Sequence, residues 1–200
     1  MVRRLSTVLG AFGLAFSLAA CGSPAMTLPY APATPLQLVA SARPVVAVGP
    51  ITDVRQDGQA NTAQFGTIRG GYGNPLFRLS ATTPVSDVVA QAFRDALAAR
   101  GLLAGPSGEA YELRGRILQF NASKLIRTEA TVEIEAVLFN RRTAAVAWTG
   151  TGRSTLVETG SLLATGIAAD PEELRGNTLR AMAAAIDDIL NRPDFIAAIK

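Results

Sequence analysis

Three consecutive runs between residues 111 and 156 alternate apolar with polar side chains, and no other feature of the chain restricts its fold as much. Tyr111, Leu113 and Ile117 alternate with Glu112, Arg114 and Arg116. Ala130, Val132, Ile134, Ala136 and Leu138 alternate with Glu129, Thr131, Glu133 and Glu135. The third run opens at Val146 and Trp148 and continues through Gly150 and Gly152 to Leu156. Successive side chains of a strand point to opposite faces, so each run predicts a strand with one face buried and one in water. Three of them in succession predict an antiparallel sheet half open to solvent. Asn140-Arg141-Arg142-Thr143 supplies the hairpin turn between the last two. Arg114 and Arg116 are expected to meet Glu133 and Glu135 across strands on the open face.

The other face of such a sheet needs a cover, and two stretches with helical spacing provide it. Val85, Val88, Val89, Ala92, Phe93, Ala96 and Leu97 fall on one side of a helix. Thr83 suits its N-cap, Pro84 its first position and Gly101 its stop. Asp170-Pro171-Glu172-Glu173 opens a second helix, whose buried side is Leu174, Ala181, Met182, Ala185, Ile186 and Ile189. Pro193 breaks that helix, and residues 194–199 form one more turn or two. Upstream, Pro44 to Ile51 is a nearly continuous apolar run that suits a central strand. The order β-(loop)-α-β-β-β-α predicts an α+β two-layer sandwich. Its sheet is mostly antiparallel, with about four strands and two main helices on one face. Phe93, Leu97, Val132, Ile134 and Ile186 are the expected core, with Trp148 largely buried.

The N-terminus reads differently. Arg3 and Arg4 precede an apolar stretch from Val8 to Leu18, which ends in small residues and the chain's one cysteine, Cys21. The layout is that of a secretory signal, too short to span a bilayer. Leu18-Ala19-Ala20-Cys21 resembles the lipobox of bacterial lipoproteins. The resemblance implies that residues 1–20 are removed, that Cys21 takes a diacylglycerol thioether, and that its new amino group is acylated. Gly22 and Ser23 lack the Asp that retains such proteins in the inner membrane, so the resemblance implies the outer membrane, facing the periplasm, with the inner membrane as the alternative. Residues 21–44 carry Pro24, Pro29, Pro32, Pro35 and Pro44 and read as a lipidated tether. Residues 45–200 then form a single domain.

Composition narrows the chemistry. Nineteen basic residues less Arg3 and Arg4 leave 17 against 16 acidic ones. With no long basic run, nothing argues for nucleic acid. After residue 20 no apolar run approaches the roughly 20 residues of a spanning helix. The chain has no histidine and a single cysteine. That removes the commonest general base, and with Cys21 committed to lipid it leaves no thiol nucleophile and no disulfide. An enzyme here would depend on Asp, Glu, Lys, Tyr or Ser alone. A non-enzyme without metal or cofactor is the expectation.

The segment Gln56 to Pro75 is rich in Gly, Asn, Thr and Gln, and reads as a long loop. Gly66-Thr67-Ile68-Arg69-Gly70-Gly71-Tyr72-Gly73-Asn74-Pro75 lacks the Gly-Lys-Ser/Thr of a phosphate loop and the third glycine of a dinucleotide fingerprint. Two readings remain. The loop is a flexible surface segment, or it is an interaction loop in which Arg69 and Tyr72 meet a partner while Gly70, Gly71 and Gly73 permit close approach. Asp53 and Arg55, two residues apart at the end of the first strand, are expected near its base as an ion pair or a ligand site. Asp187-Asp188 and Glu172-Glu173 have no second acidic cluster to make a metal site. Gly160 to Ile167 is an apolar connection suited to touching lipid, touching a partner or covering a sheet edge.

In the mature part, Val45-Val46-Ala47-Val48-Gly49-Pro50-Ile51-Thr52-Asp53-Val54-Arg55 and Leu97-Ala98-Ala99-Arg100-Gly101 resemble the YajG-type family of small bacterial envelope lipoproteins. Tyr111-Glu112-Leu113-Arg114-Gly115-Arg116-Ile117-Leu118 and Ile186-Asp187-Asp188-Ile189-Leu190 extend the resemblance. The glycine-rich 66–75 stretch departs from the family pattern. The resemblance carries over no catalytic residue. It implies a lipid-anchored, non-catalytic binding or assembly factor with an envelope protein as partner. An auxiliary lipoprotein of an ABC-type lipid or lipopolysaccharide transport system is the alternative, and a carboxylate-based hydrolase stands third.

Overall fold

Strand β4, Tyr111–Lys124, is the axis of the molecule. The computed structural model describes residues 25–33, 36, 45–105, 110–159 and 170–199. Within these, β4, β5 (Arg127–Asn140) and β6 (Ala145–Thr159) form the expected antiparallel meander, each longer than its alternating core suggested. The free edge of β4 is shared by two strands in series. β1 (Val46–Asp53) runs parallel to its first half, from Val46 opposite Tyr111 to Asp53 opposite Ile117. β2 (Gln64–Arg69) runs parallel to its end, from Gly66 opposite Ala122 to Ile68 opposite Lys124. β3 (Pro75–Ser80) then pairs antiparallel with β2.

The sheet is therefore mixed and six-stranded, not the mostly antiparallel sheet of about four strands expected from the sequence. The difference lies in the segment read as a long loop, which holds β2 and the start of β3. Phe65 and Ile68 of β2 are buried, but Gly66 between them interrupts the apolar pattern that would have announced a strand. That glycine has a packing reason: a Cβ there would stand 3.2 Å from Leu174 Cδ2. The handover from β1 to β2 coincides with a register shift against β5 between Ile117 and Gln119. This extra residue switches the buried positions of β4 from Leu113 and Ile117 to Phe120 and Ala122.

Helices α1 (Val85–Ala99) and α2 (Pro171–Leu190) cover one face. α1 starts with Pro84 as N-cap, one residue later than expected. It ends as foreseen: Gly101 takes φ 69°, with Gly101 N–H donating to the Ala98 carbonyl and Leu102 N–H to that of Leu97. Asp170 caps α2 by accepting from the Glu172 N–H at 2.9 Å. Phe93, Leu97, Val132, Ile134 and Ile186 are fully buried and Trp148 is buried, as expected. α2 lies so close on β6 that a Cβ at Gly152 would fall 2.0 Å from the Ala185 carbonyl oxygen. Short α3 (Pro193–Ala198) sets Phe195 edge-on to Trp148 at 5.2 Å and lets the indole N–H donate to Asp194 at 2.9 Å.

The described part of the expected tether lies against this body. Met26 forms a parallel bridge with Ala81, its N–H donating to the Ser80 carbonyl at 2.9 Å. Leu28 is buried, and Tyr30 packs on the core. Cys21, the signal segment and the 160–169 connection lie outside the described residues.

Candidate functional site

The carboxylate of Asp53, at the end of β1, and the guanidinium of Arg55 form a clasp. Arg55 Nε donates to Asp53 Oδ1 at 2.8 Å and Nη2 to Oδ2 at 2.6 Å, a bidentate pair with side chains 4% and 11% exposed. Nη1 reaches the carbonyls of Phe120 at 2.7 Å and Gln64 at 3.0 Å. One planar cation thus ties the end of β1 to the middle of β4 and the start of β2. Burial alone would push the Asp53 carboxyl up, but the hydrogen bonds from Arg55 outweigh it and hold the group below its ordinary value. Of the two roles open from the sequence, the geometry is that of the ion pair.

Arg69 to Gly73 sit elsewhere. Gly70 N–H donates to the Asn74 carbonyl and Gly73 N–H to that of Gly70, both at 2.8 Å, closing a tight turn between β2 and β3. Gly73 takes φ 80°, the left-handed conformation that favours glycine. Arg69 Nη1 donates to the Gly73 carbonyl at 3.1 Å, and Tyr72 is wholly exposed at the tip. Asp53 and Arg55 are not at the base of this turn, because the length of β2 separates them. Five steps of strand from Gln64 to Arg69 measure about 17 Å. Arg55 and Arg69 do share one shallow groove, which runs along β2 and β4 past Thr67, Asn121 and Ser123.

Sequence reasoning missed three further clusters. On the uncovered face, a wider groove is bordered by Gln56, Gln119, Asn121, Glu129, Thr131, Arg153 and Thr155. Arg116 meets Glu135 at 3.4 Å there, as expected, but Glu133 pairs with Arg153 of β6 instead, at 3.4 Å. Arg114 pairs with Glu112 on its own strand at 2.6 Å and lies over the Phe139 ring. Under the helices, Arg100 Nη2 donates to Asp187 at 2.8 Å, with side chains 1% and 3% exposed. Tyr30 OH donates to the same carboxylate at 2.5 Å. Burial, with the Asp187 contact, pushes the Tyr30 hydroxyl up to about 12. An isolated Arg after a helix and a Tyr in a proline-rich stretch carry no common spacing that could have joined them.

Lys124 is buried against Glu173, which also accepts from Thr128 Oγ1 at 2.7 Å. The Lys124 and Thr128 contacts hold the Glu173 carboxyl below its ordinary value. Glu173 had a sufficient explanation at the helix start, so its partner across the sheet was not legible. Among the described residues no buried side-chain N or O lacks a hydrogen-bond partner. No group of three or more His, Cys, Asp or Glu among them is placed to hold a metal ion. Among the described residues, the arrangement offers hydrogen bonds and charges on a broad open face.

Compared with protein-family models and with curated proteins, the sequence matches neither. Solved structures do match. Protein XCC0632 from Xanthomonas campestris, assigned to DUF330, aligns with TM-score 0.54 at 14% identity, over 80% of this chain and 91% of that one. PelC from Paraburkholderia phytofirmans, solved as a dodecamer, aligns at 16% identity over 77% and 93% with TM-score 0.44. A lipoprotein described as such from Caulobacter crescentus aligns at 12% identity over 55% and 78% with TM-score 0.37. The first of these is a likeness of fold.

Proposed function

We propose that this chain is a lipid-anchored lipoprotein of the bacterial envelope, of YajG type, which binds a protein partner on the periplasmic side and catalyses nothing. The observation that carries the reading is Leu18-Ala19-Ala20-Cys21 at the end of a charged-then-apolar leader. The shared fold with a DUF330 protein supports it at the level of architecture. The open sheet face supports the binding role. It is polar, mixed in charge and uncovered by any described element, so a partner can reach it. The outer membrane is the expected location.

Cys21→Ser tests the reading. Incorporation of labelled palmitate should be lost and the chain should leave the membrane fraction, because thioether diacylation supplies the two chains that stable anchoring requires. Labelling that persists in the variant overturns the assignment. Crosslinkers placed at Gln119 or Arg153 in intact cells should capture an envelope protein, and capture only from the helix-covered side would refute the binding face.

A further inference from the structure

The two ends of the sheet differ in chemistry. Because β2 and β4 run parallel, the 70–74 turn after β2 and the 125–126 turn after β4 emerge side by side. They carry Tyr72, wholly exposed, and Ile126, 57% exposed, and the start of β3 adds exposed Leu76 and Phe77. Arg78 stands beside them in solvent, and exposed Arg127 pairs with Glu129 at 3.7 Å. At the other end, the turn from β5 to β6 holds Arg141 paired with Glu112 at 2.5 Å, followed by exposed Arg142, and Val146 is the one large apolar side chain exposed beside it among the described residues.

The direction of the N-terminal segment supplies a second, independent observation. Met26 bridges Ala81 in parallel, so the backbone comes to Met26 from the side where β3 begins, the side of Tyr72. Cys21 lies five residues upstream of this docked residue. Five residues span at most about 18 Å, comparable with the roughly 20 Å between Pro75 and Ala81 along β3. A lipid at Cys21 therefore keeps Met26 within about 18 Å of the bilayer surface.

We propose that the end of the sheet formed by the 70–74 turn, the 125–126 turn and the first residues of β3 rests in the membrane interface beside the anchor. This rests on Cys21 being lipidated. Tyr72 has the amphipathic ring that favours the headgroup level, and Ile126, Leu76 and Phe77 supply apolar contact just below it. Arg78 can meet a lipid phosphate with its guanidinium group. The strands then stand up from the membrane, and the open face with Gln119 and Arg153 remains accessible to a partner.

The test uses the purified lipidated chain in vesicles of phosphatidylethanolamine and phosphatidylglycerol containing a spin-labelled lipid quencher. Lipidation consumes the thiol of Cys21, the one native cysteine, so Tyr72→Cys and Arg142→Cys each accept a single fluorophore. The label at 72 should lose its fluorescence to the quencher, and the label at 142 should keep it. In the Tyr72→Cys chain, adding Ile126→Glu and Phe77→Glu should restore fluorescence at 72 without changing the circular-dichroism spectrum. Lipid-bearing protein, verified by mass, that shows equal quenching at 72 and 142 overturns the docking alone. Protein whose mass shows no lipid overturns both the anchor and the docking. A crosslink from position 72 to an envelope protein in cells, in place of lipid, also overturns it.

Discussion

Asp53 with Arg55 and Arg69 with Tyr72 look alike in sequence: polar or aromatic groups flanking strand ends. The fold treats them in opposite ways. The first pair is sealed between three strands, each of its hydrogen bonds running inside the domain. In the second, Arg69 reaches only the carbonyl of its own turn, and Tyr72 touches water on all sides. The same residue types thus divide into a structural clasp and a surface tip. What separates them is how many elements converge on them, a property of topology rather than of local composition. Buried arginine here stabilises a junction; exposed aromatic surface at a tip is what remains available for contact.

The contrast breaks most visibly at the clasp. Arg55→Ala would leave the Asp53 carboxylate largely buried without its cation and would free the Phe120 and Gln64 carbonyls. Removing one member of a buried pair costs about 3–5 kcal/mol, and chemical denaturation should register a loss in that range. A loss under about 0.5 kcal/mol, ordinary for a surface site, would mean the pair is solvated and the clasp unimportant.

Acid should act on the same contacts more gently. The folded-state carboxyls of Asp53, Glu112 and Glu173 lie below their ordinary values. For Glu112 the Arg114 hydrogen bond leads, burial opposes it, and Arg141 adds to it; the contacts of the other two are those described above. A depressed carboxyl contributes stability that is complete above its unfolded value, near pH 4, and is lost as pH falls through the folded value. Stability should therefore be level from pH 7 to about pH 5 and decline below about pH 4. Asp53→Asn should make that decline shallower. An acid limb of unchanged slope in this variant would remove Asp53 from the set responsible.

How much of this was legible follows from the period of each element. The meander of β4, β5 and β6 announces itself because Val132, Ile134, Ala136 and Leu138 alternate without interruption over a half-exposed strand. α1 does so through seven apolar residues on one face and a glycine stop. β2 did not, since Gly66 sits at an inward position where a Cβ would stand 3.2 Å from Leu174, and a strand of six residues has few positions to lose. The parallel pairing of β1 and β2 along one edge of β4 has no local sign at all. It depends on the register shift after Ile117, which a sequence displays only as one more residue. The candidate site depends on the same place: a loop at 56–75 would put Asp53 and Arg55 next to the 70–74 turn, and β2 sets them a strand's length apart along one groove. The Tyr30–Asp187–Arg100 contact joins residues 157 positions apart, and only the docked N-terminal segment brings them together.

The smallest effect on stability belongs to the turn, and it sharpens the comparison from the other side. Arg69→Ala removes one hydrogen bond to a solvent-facing carbonyl, and Tyr72→Ala removes a ring that buries nothing. The turn itself is closed by backbone bonds between Gly70, Gly73 and Asn74, which neither change touches. The double variant should therefore unfold within about 0.5 kcal/mol of the parent, as substitutions away from packed features do. Gly73→Ala supplies the internal control, because its φ of 80° must be forced on a residue with a Cβ even though the space around it is empty. That change should cost about 1 kcal/mol, the penalty of the left-handed conformation. The order Arg55→Ala, then Gly73→Ala, then the Arg69 and Tyr72 pair places stability in the clasp and in backbone geometry. A destabilisation of the pair equal to that of Arg55→Ala would show that the tip packs on the body, and would remove the ground for treating Tyr72 as a group held out for contact.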